Sequence, residues 1–189
     1  MIPRRARAAV DGAHLAELLD DFQAALSELA AIFEKDPGAW IRGKPGKWAA
    51  GQHAAHAAIT LRLFSEPLEK QIEAERAGRL GDRPQRSLPE GLFAHFVIRK
   101  GWMPRGMPTI PAAVPAELPP REPTLASLRT EGERYRRIAA SVPGGRADRI
   151  WVGTPFRKGF HYSLPEVVRL QAVHVRHHAA LAREAARET

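Results

Sequence analysis

The chain contains no cysteine in 189 residues. That excludes disulfides, thiolate metal sites and cysteine nucleophiles, and it fits a reducing, cytoplasmic location. Any metal ion must therefore be held by imidazole, carboxylate or water. No run of about 18 apolar residues occurs, so no membrane span is expected. Arg4, Arg5 and Arg7 are followed by Asp11, His14, Glu17, Asp20 and Asp21, which is not the apolar stretch of a secretory signal. There is no internal repeat and no alternating apolar–polar run of useful strand length.

Acidic residues are in the minority. Lys and Arg number 29 against 21 Asp and Glu, for a net charge of +8. Such a balance can mark a nucleic-acid ligand. Here the arginines are spread along helix backs, without a dense run or interleaved aromatics. A solvated basic surface is the reading adopted, and no nucleic-acid partner is expected.

Helical periodicity dominates what is present. A chain of this length forms one domain by default and can bury a core, so residues 1–189 are read as a single domain. The first block runs from Ala13 to Phe33, with Leu15, Leu18, Leu19, Phe22, Leu26, Leu29 and Phe33 at helical spacing, and Asp36-Pro37-Gly38 stops it. The second runs from Ala49 to Arg79, with Gly78 and Gly81 at its end and Pro67 inside it, where a kink or early break is expected. Leu88 to Lys100 can form a short helix. Pro104, Pro108, Pro111, Pro115, Pro119, Pro120 and Pro123 then mark an extended strap across the core. The third long helix is expected from Thr124, as N-cap, to Ser141, ended by Pro143-Gly144-Gly145. A loop from Arg146 to Tyr162 leads to Ser163-Leu164-Pro165-Glu166, a capping box that opens the last helix. The expected fold is all-α: a four-helix bundle with a long proline-rich connection between helices two and three.

The last helix carries the most chemistry. His174 and His178 stand four residues apart, on one face and one turn from each other. Leu164, Val167, Gln171, Leu181 and Ala185 share their stripe, while Arg169, Arg176, Arg183 and Arg187 fall opposite. Two imidazoles on a face that should be buried need partners for their ring nitrogens. A metal ion is one such partner, and this spacing lets both reach it from one rigid element. A third ligand is sought on the second helix. There Gln52, His56, Ile59 and Leu63 align, which makes His56 the inward candidate, with His53 in reserve. His161 could line the site mouth, and His177 lies off the stripe, at the rim or in solvent. His14 and His95 are weaker. No general base is assigned, because Glu66 lies about 15 Å along the axis from His56.

Trp48 followed eight positions later by His56, together with His174-x-x-x-His178 after a Ser-Leu-Pro-Glu helix opening, resembles the DinB-like (YfiT-like) superfamily of metal-dependent enzymes. The likeness covers most of the chain and is greatest to an uncharacterised subgroup. It implies a four-helix bundle with a divalent ion held by His56, His174 and His178, and imidazole ligands suit zinc or nickel. It also implies a homodimer. Some characterised relatives are thiol S-transferases or isomerases that use a low-molecular-weight thiol. The expected function is therefore a metal-dependent hydrolase or thiol S-transferase acting on a small molecule. The alternative is a metal-free stress-response or interaction module with structural histidines. One departure concerns the loop before the last helix, where Thr154-Pro155-Phe156 replaces the His-Pro of the subgroup. Arg42, Lys44, Lys47, Arg157 and Lys158 lie in loops near helix ends, where a basic rim would suit the carboxylates of a thiol cofactor.

The second block is apolar on two sides, with Ile59 and Leu63 on one and Leu61, Phe64 and Leu68 on the other. A helix of this kind needs partners on both sides. Light scattering is expected to return a dimer. A mass of 20.9 kDa across a concentration series would reject it.

Overall fold

The computed structural model describes residues 4–115, 117–142 and 145–188, with side chains from residue 14 onward. Five α-helices lie in this order among them: α1 (Arg4–Lys35), α2 (Ala50–Arg76), α3 (Leu88–Phe93), α4 (Arg121–Ala140) and α5 (Leu164–Ala185). A two-stranded antiparallel hairpin, β1 (Trp151–Gly153) and β2 (His161–Ser163), precedes α5. α3 continues into a π-helical turn over Ala94–Arg99.

The four long helices pack on one another: α1 against α5 and α4, and α2 against α4 and α5. Phe22, Leu29 and Phe33 of α1, Leu61, Phe64 and Leu68 of α2, Leu128 and Tyr135 of α4 and Val167 and Val175 of α5 fill the space between them. At about 1.5–3 kcal/mol per fully buried large apolar side chain, this core is the main source of stability. Arg176 of α5 clamps Asp21 of α1 at 2.7 Å and Glu28 at 3.3 Å. Ser65 of α2 donates to the buried carboxylate of Glu131 on α4 at 2.7 Å, and Arg134 holds Glu69 at 2.8 Å.

Several boundaries differ from expectation. α1 begins at Arg4, well before Ala13, and ends at Lys35. α2 runs through Pro67 without a break and ends at Arg76, where Ala77 caps it and Gly78 turns at φ +66°. α4 begins at Arg121, so Thr124 is not its N-cap. The Thr124 hydroxyl instead donates to the Pro120 carbonyl at 2.9 Å. Pro123 is accepted in the first turn because an amide there would have no helical partner. Pro143 and Gly144 of the expected stop lie outside the described residues. The segment read as a loop from Arg146 to Tyr162 contains the hairpin, with Val152 opposite Tyr162 and both buried. Three-residue strands are too short to display a period of two. At the start of α5 the Ser163 amide donates to Glu166 Oε2 at 3.1 Å, which is the return half of the capping box.

The proline-rich segment does cross the core. Its turn at Pro111–Ala113 rests on α2, and Trp40 Nε1 donates to the Pro119 carbonyl at 2.8 Å. Trp40 itself lies against Gly51, where a Cβ would come within 2.4 Å of the indole. Gly51→Ala is therefore expected to destabilise by about 1–3 kcal/mol, the usual cost of overpacking. Gly81→Ala, in open space, is expected to stay within about 0.5 kcal/mol. Urea unfolding of the two variants checks this, and equal effects would contradict the Trp40 contact.

Candidate metal centre

α2 and α5 meet through their imidazoles. His56 Nε2 lies 3.3 Å from His174 Nε2, and His53 Nδ1 lies 3.1 Å from His178 Nδ1. The pairs 53–178 and 56–174 run in opposite senses, so the two helices are antiparallel. The His178 ring centre lies 4.5 Å from those of both His56 and His174. One nitrogen from each of His56, His174 and His178 falls within 4.8 Å of the other two.

The short side chains around His56 make this approach possible. Ala50, Gly51, Ala54, Ala55, Ala57 and Ala58 are all buried on α2, so neighbouring backbone and rings come close. The strap then fixes His56 from outside. Its Nδ1 lies 2.6 Å from the Ala113 carbonyl oxygen. Only a protonated Nδ1 can donate there, so Nε2 is left as a bare lone pair aimed at His174. A backbone carbonyl behind an imidazole is the usual outer support of a metal ligand. His53 can support His178 in the same way through the Nδ1–Nδ1 contact. Trp48 lies over the group, 5.0 Å from the His56 ring centre and 5.4 Å from that of His53.

The donor set fits a divalent ion. Two nitrogens on one tetrahedral zinc, each at about 2.0–2.1 Å, sit about 3.3–3.4 Å apart. The His56–His174 separation matches that value. Burial holds the rings neutral, as ligands must be. It pushes His174 down to about 3 and His53 down to about 4, with the neighbouring His56 adding to both shifts. Burial also lowers His178 well below the usual range, and it lowers His56 against the opposing pull of the Ala113 carbonyl.

The other sequence candidates separate. Gln52 serves its own helix end, where its Oε1 accepts from the Ala49 amide at 2.8 Å. His177 is half-buried, with its ring centre 5.3 Å from that of His178. His161 does not reach the group. It lies in β2, three residues before α5 begins, its amide donates to Glu90 Oε1 at 2.7 Å, and His174 lies ten residues past the helix start, about 15 Å along the axis. His14 and His95 are exposed. Arg157 stacks over Phe160, 4.7 Å from the ring centre, beside the hairpin, away from the imidazoles. Lys44 and Lys47 do lie near them. With Trp48, His53, Leu181 and Glu184 they line a cavity of about 520 Å³. The buried arc of α5 is also wider than the stripe read from the sequence: Val168, Ala172, Val175 and Ala179 are buried as well, and α1 packs on this helix. His174 keeps partial exposure while His178 is 7% exposed. The Ala113 carbonyl was not foreseeable, since every residue carries one.

Comparison with protein-family models, curated proteins and solved structures finds no match to this chain.

The depressed histidines make stability depend on pH. In the unfolded chain each titrates near 6.5, so below that value the unfolded state binds more protons than the folded one. Stability is full above pH 6.5 and is lost as pH falls towards about 4 for His53 and about 3 for His174. The slope is about 1.4 kcal/mol per pH unit for each such histidine. Urea midpoints of metal-free protein are expected to fall between pH 7 and 5, and less so in His53→Gln. A flat profile over that window would contradict the burial.

Proposed function

We propose that this chain is a DinB-like four-helix-bundle protein that holds one divalent ion, zinc or nickel, on His56, His174 and His178. We further propose that it acts on a small molecule as a metal-dependent hydrolase or thiol S-transferase. The observation that carries this reading is the convergence of three neutral imidazoles with two Nε2 atoms 3.3 Å apart. The Trp48–His56 and His174–His178 spacings support the family likeness.

A bound divalent ion would supply Lewis acidity, lowering the pKa of a water or an incoming thiol. The protein's part is positional. The Ala113 carbonyl fixes the His56 tautomer, His53 backs His178, and Trp48 limits access of bulk water. Three ligands leave a coordination position for substrate. With no cysteine in the chain, any nucleophilic sulfur must come from a cosubstrate. Lys44 and Lys47 of the cavity beside His53 can receive its carboxylates, and Glu184 on the same lining would oppose strongly anionic ligands. Ile59 and Leu63 on α2 keep partial exposure, which supports the homodimer.

A metal-free interaction module competes with this reading on one observation. The His56–His174 and His53–His178 contacts can be ordinary hydrogen bonds that satisfy the rings in pairs. Metal content separates the two. Wild-type protein loaded with zinc or nickel and then desalted is expected to keep about one ion per chain. His178→Ala should lose most of it while keeping its helicity, since the rest of the core is largely apolar. If the wild type keeps no stoichiometric metal, the histidines are structural. For the finer claim, a cobalt-loaded sample is expected to develop a sulfur-to-metal charge-transfer band when a small carboxylated thiol is added.

A further inference from the structure

The α2–α5 ladder has a third rung. Contacts 53–178 and 56–174 step along the two helices by three and four residues. By the same spacing, the next antiparallel step along the two helices would bring Thr60 opposite Gln171. Both are deeply buried, Thr60 at 3% exposure and Gln171 at 0%. Thr60 Oγ1 and both amide atoms of Gln171 have no hydrogen-bond partner among the described residues. His174 Nδ1, one turn along α5 from Gln171, is equally unpartnered. One turn further in, buried Phe64 and Val167 close the ladder with apolar side chains. Four unpartnered polar atoms thus belong to one rung and the ring next to it.

Leaving such atoms bare costs about 1–3 kcal/mol each, and buried polar side chains nearly always find a partner. An internal water typically takes about three hydrogen bonds from such groups. The complementarity is complete: the hydroxyl and the amide can each donate or accept, and the ring nitrogen can do either by tautomer.

We propose that Gln171 is a positioning residue for His174, acting with Thr60 through one buried water that binds His174 Nδ1. In metal-free protein His174 Nδ1 accepts from this water while Nε2–H donates to His56 Nε2; with a metal ion bound, Nδ1–H would donate to the water and free the Nε2 lone pair for the ion. The first two rungs hold His178 and His56 through His53 and the Ala113 carbonyl. The third rung gives His174 the outer support that the other two rings already have. The inference rests on the metal reading for its consequence, but the water site stands on the rung itself.

The experiment has two readouts. In wild-type protein, metal-free or loaded, water-selective nuclear Overhauser spectra are expected to show a long-lived water contacting the Gln171 side-chain amide. Thr60→Val, which keeps the Gln171 amide as reporter, should weaken or remove that contact. Zinc affinity by chelator competition is expected to fall about 10–100-fold in Gln171→Leu, the usual cost of losing outer-shell support. Gln171→Met keeps the side-chain length and volume without a group for the water and should lose affinity as Gln171→Leu does, which a merely space-filling role would not predict. If Gln171→Leu does not fold, the near-isosteric Thr60→Val carries the affinity test. Absence of the water contact in wild type overturns the proposal, as does zinc affinity unchanged in both the leucine and valine variants. A wild type that shows the water but binds no zinc refutes the metal reading and leaves the water site standing.

Discussion

Burial of imidazoles between two antiparallel helices is the constraint on which the rest of this structure turns. A ring removed from water must stay neutral and must place both nitrogens against partners. The paired contacts His56–His174 and His53–His178 and the Ala113 carbonyl meet part of this requirement, and His174 Nδ1 is left without a partner among the described residues. That carbonyl belongs to the proline-rich segment, so the segment serves as part of the site as well as a connection. Its own position depends on Trp40, whose indole donates to Pro119 and rests against Gly51. A glycine in the first turn of α2 is thus linked, through one indole and one strap, to the orientation of His56.

Close approach is achieved by small residues. The alanine-rich start of α2 brings strap, α2 and α5 together at the imidazoles. On the opposite flank, Gly132 lets α4 approach α1, where a Cβ would lie 2.8 Å from Leu26 Cδ1. Gln23 donates to the Gly132 carbonyl at 3.0 Å across this contact. Elsewhere buried charge is paired: Glu131 with Ser65 and Arg134, and Glu90 with Arg86 and the His161 amide. The imidazole group is the place where buried polar atoms gather without carboxylate partners. Burial outweighs the Ala113 carbonyl at His56 and the Glu184 charge at His53, so His53, His56, His174 and His178 are all pushed below their ordinary range. Neutral nitrogens gathered in this way suit a cation better than they suit proton transfer.

Much of this was legible in sequence because it is periodic. Apolar spacing revealed the four long helices, and Ser163 with Glu166 marked the start of α5. The i, i+4 rule placed His174 and His178 on one face, and the wheel of α2 selected His56. Helix ends were less legible. Propensity gave no reason to extend α1 back to Arg4, Pro123 concealed the true start of α4, and a hairpin of three-residue strands carries no period. The place of His161 in β2, beside Glu90, was not legible either, because nearness in sequence to a helix start says nothing about distance from a site ten residues along that helix.

What the sequence determined by itself is therefore local: which segments are helical, which faces are apolar, and which histidines share a face. These follow from rise, turn and side-chain period, which act within a few residues. The tertiary structure decided everything that joins residues distant in the chain. It decided the antiparallel pairing of 53 with 178 and 56 with 174, and the choice of Ala113 among many strap carbonyls. It decided the packing of α1 on α5, and the burial of Thr60 and Gln171 without hydrogen-bond partners among the described residues. Those depend on how four helices and one strap exclude water together, a property of the packed whole that no single segment carries.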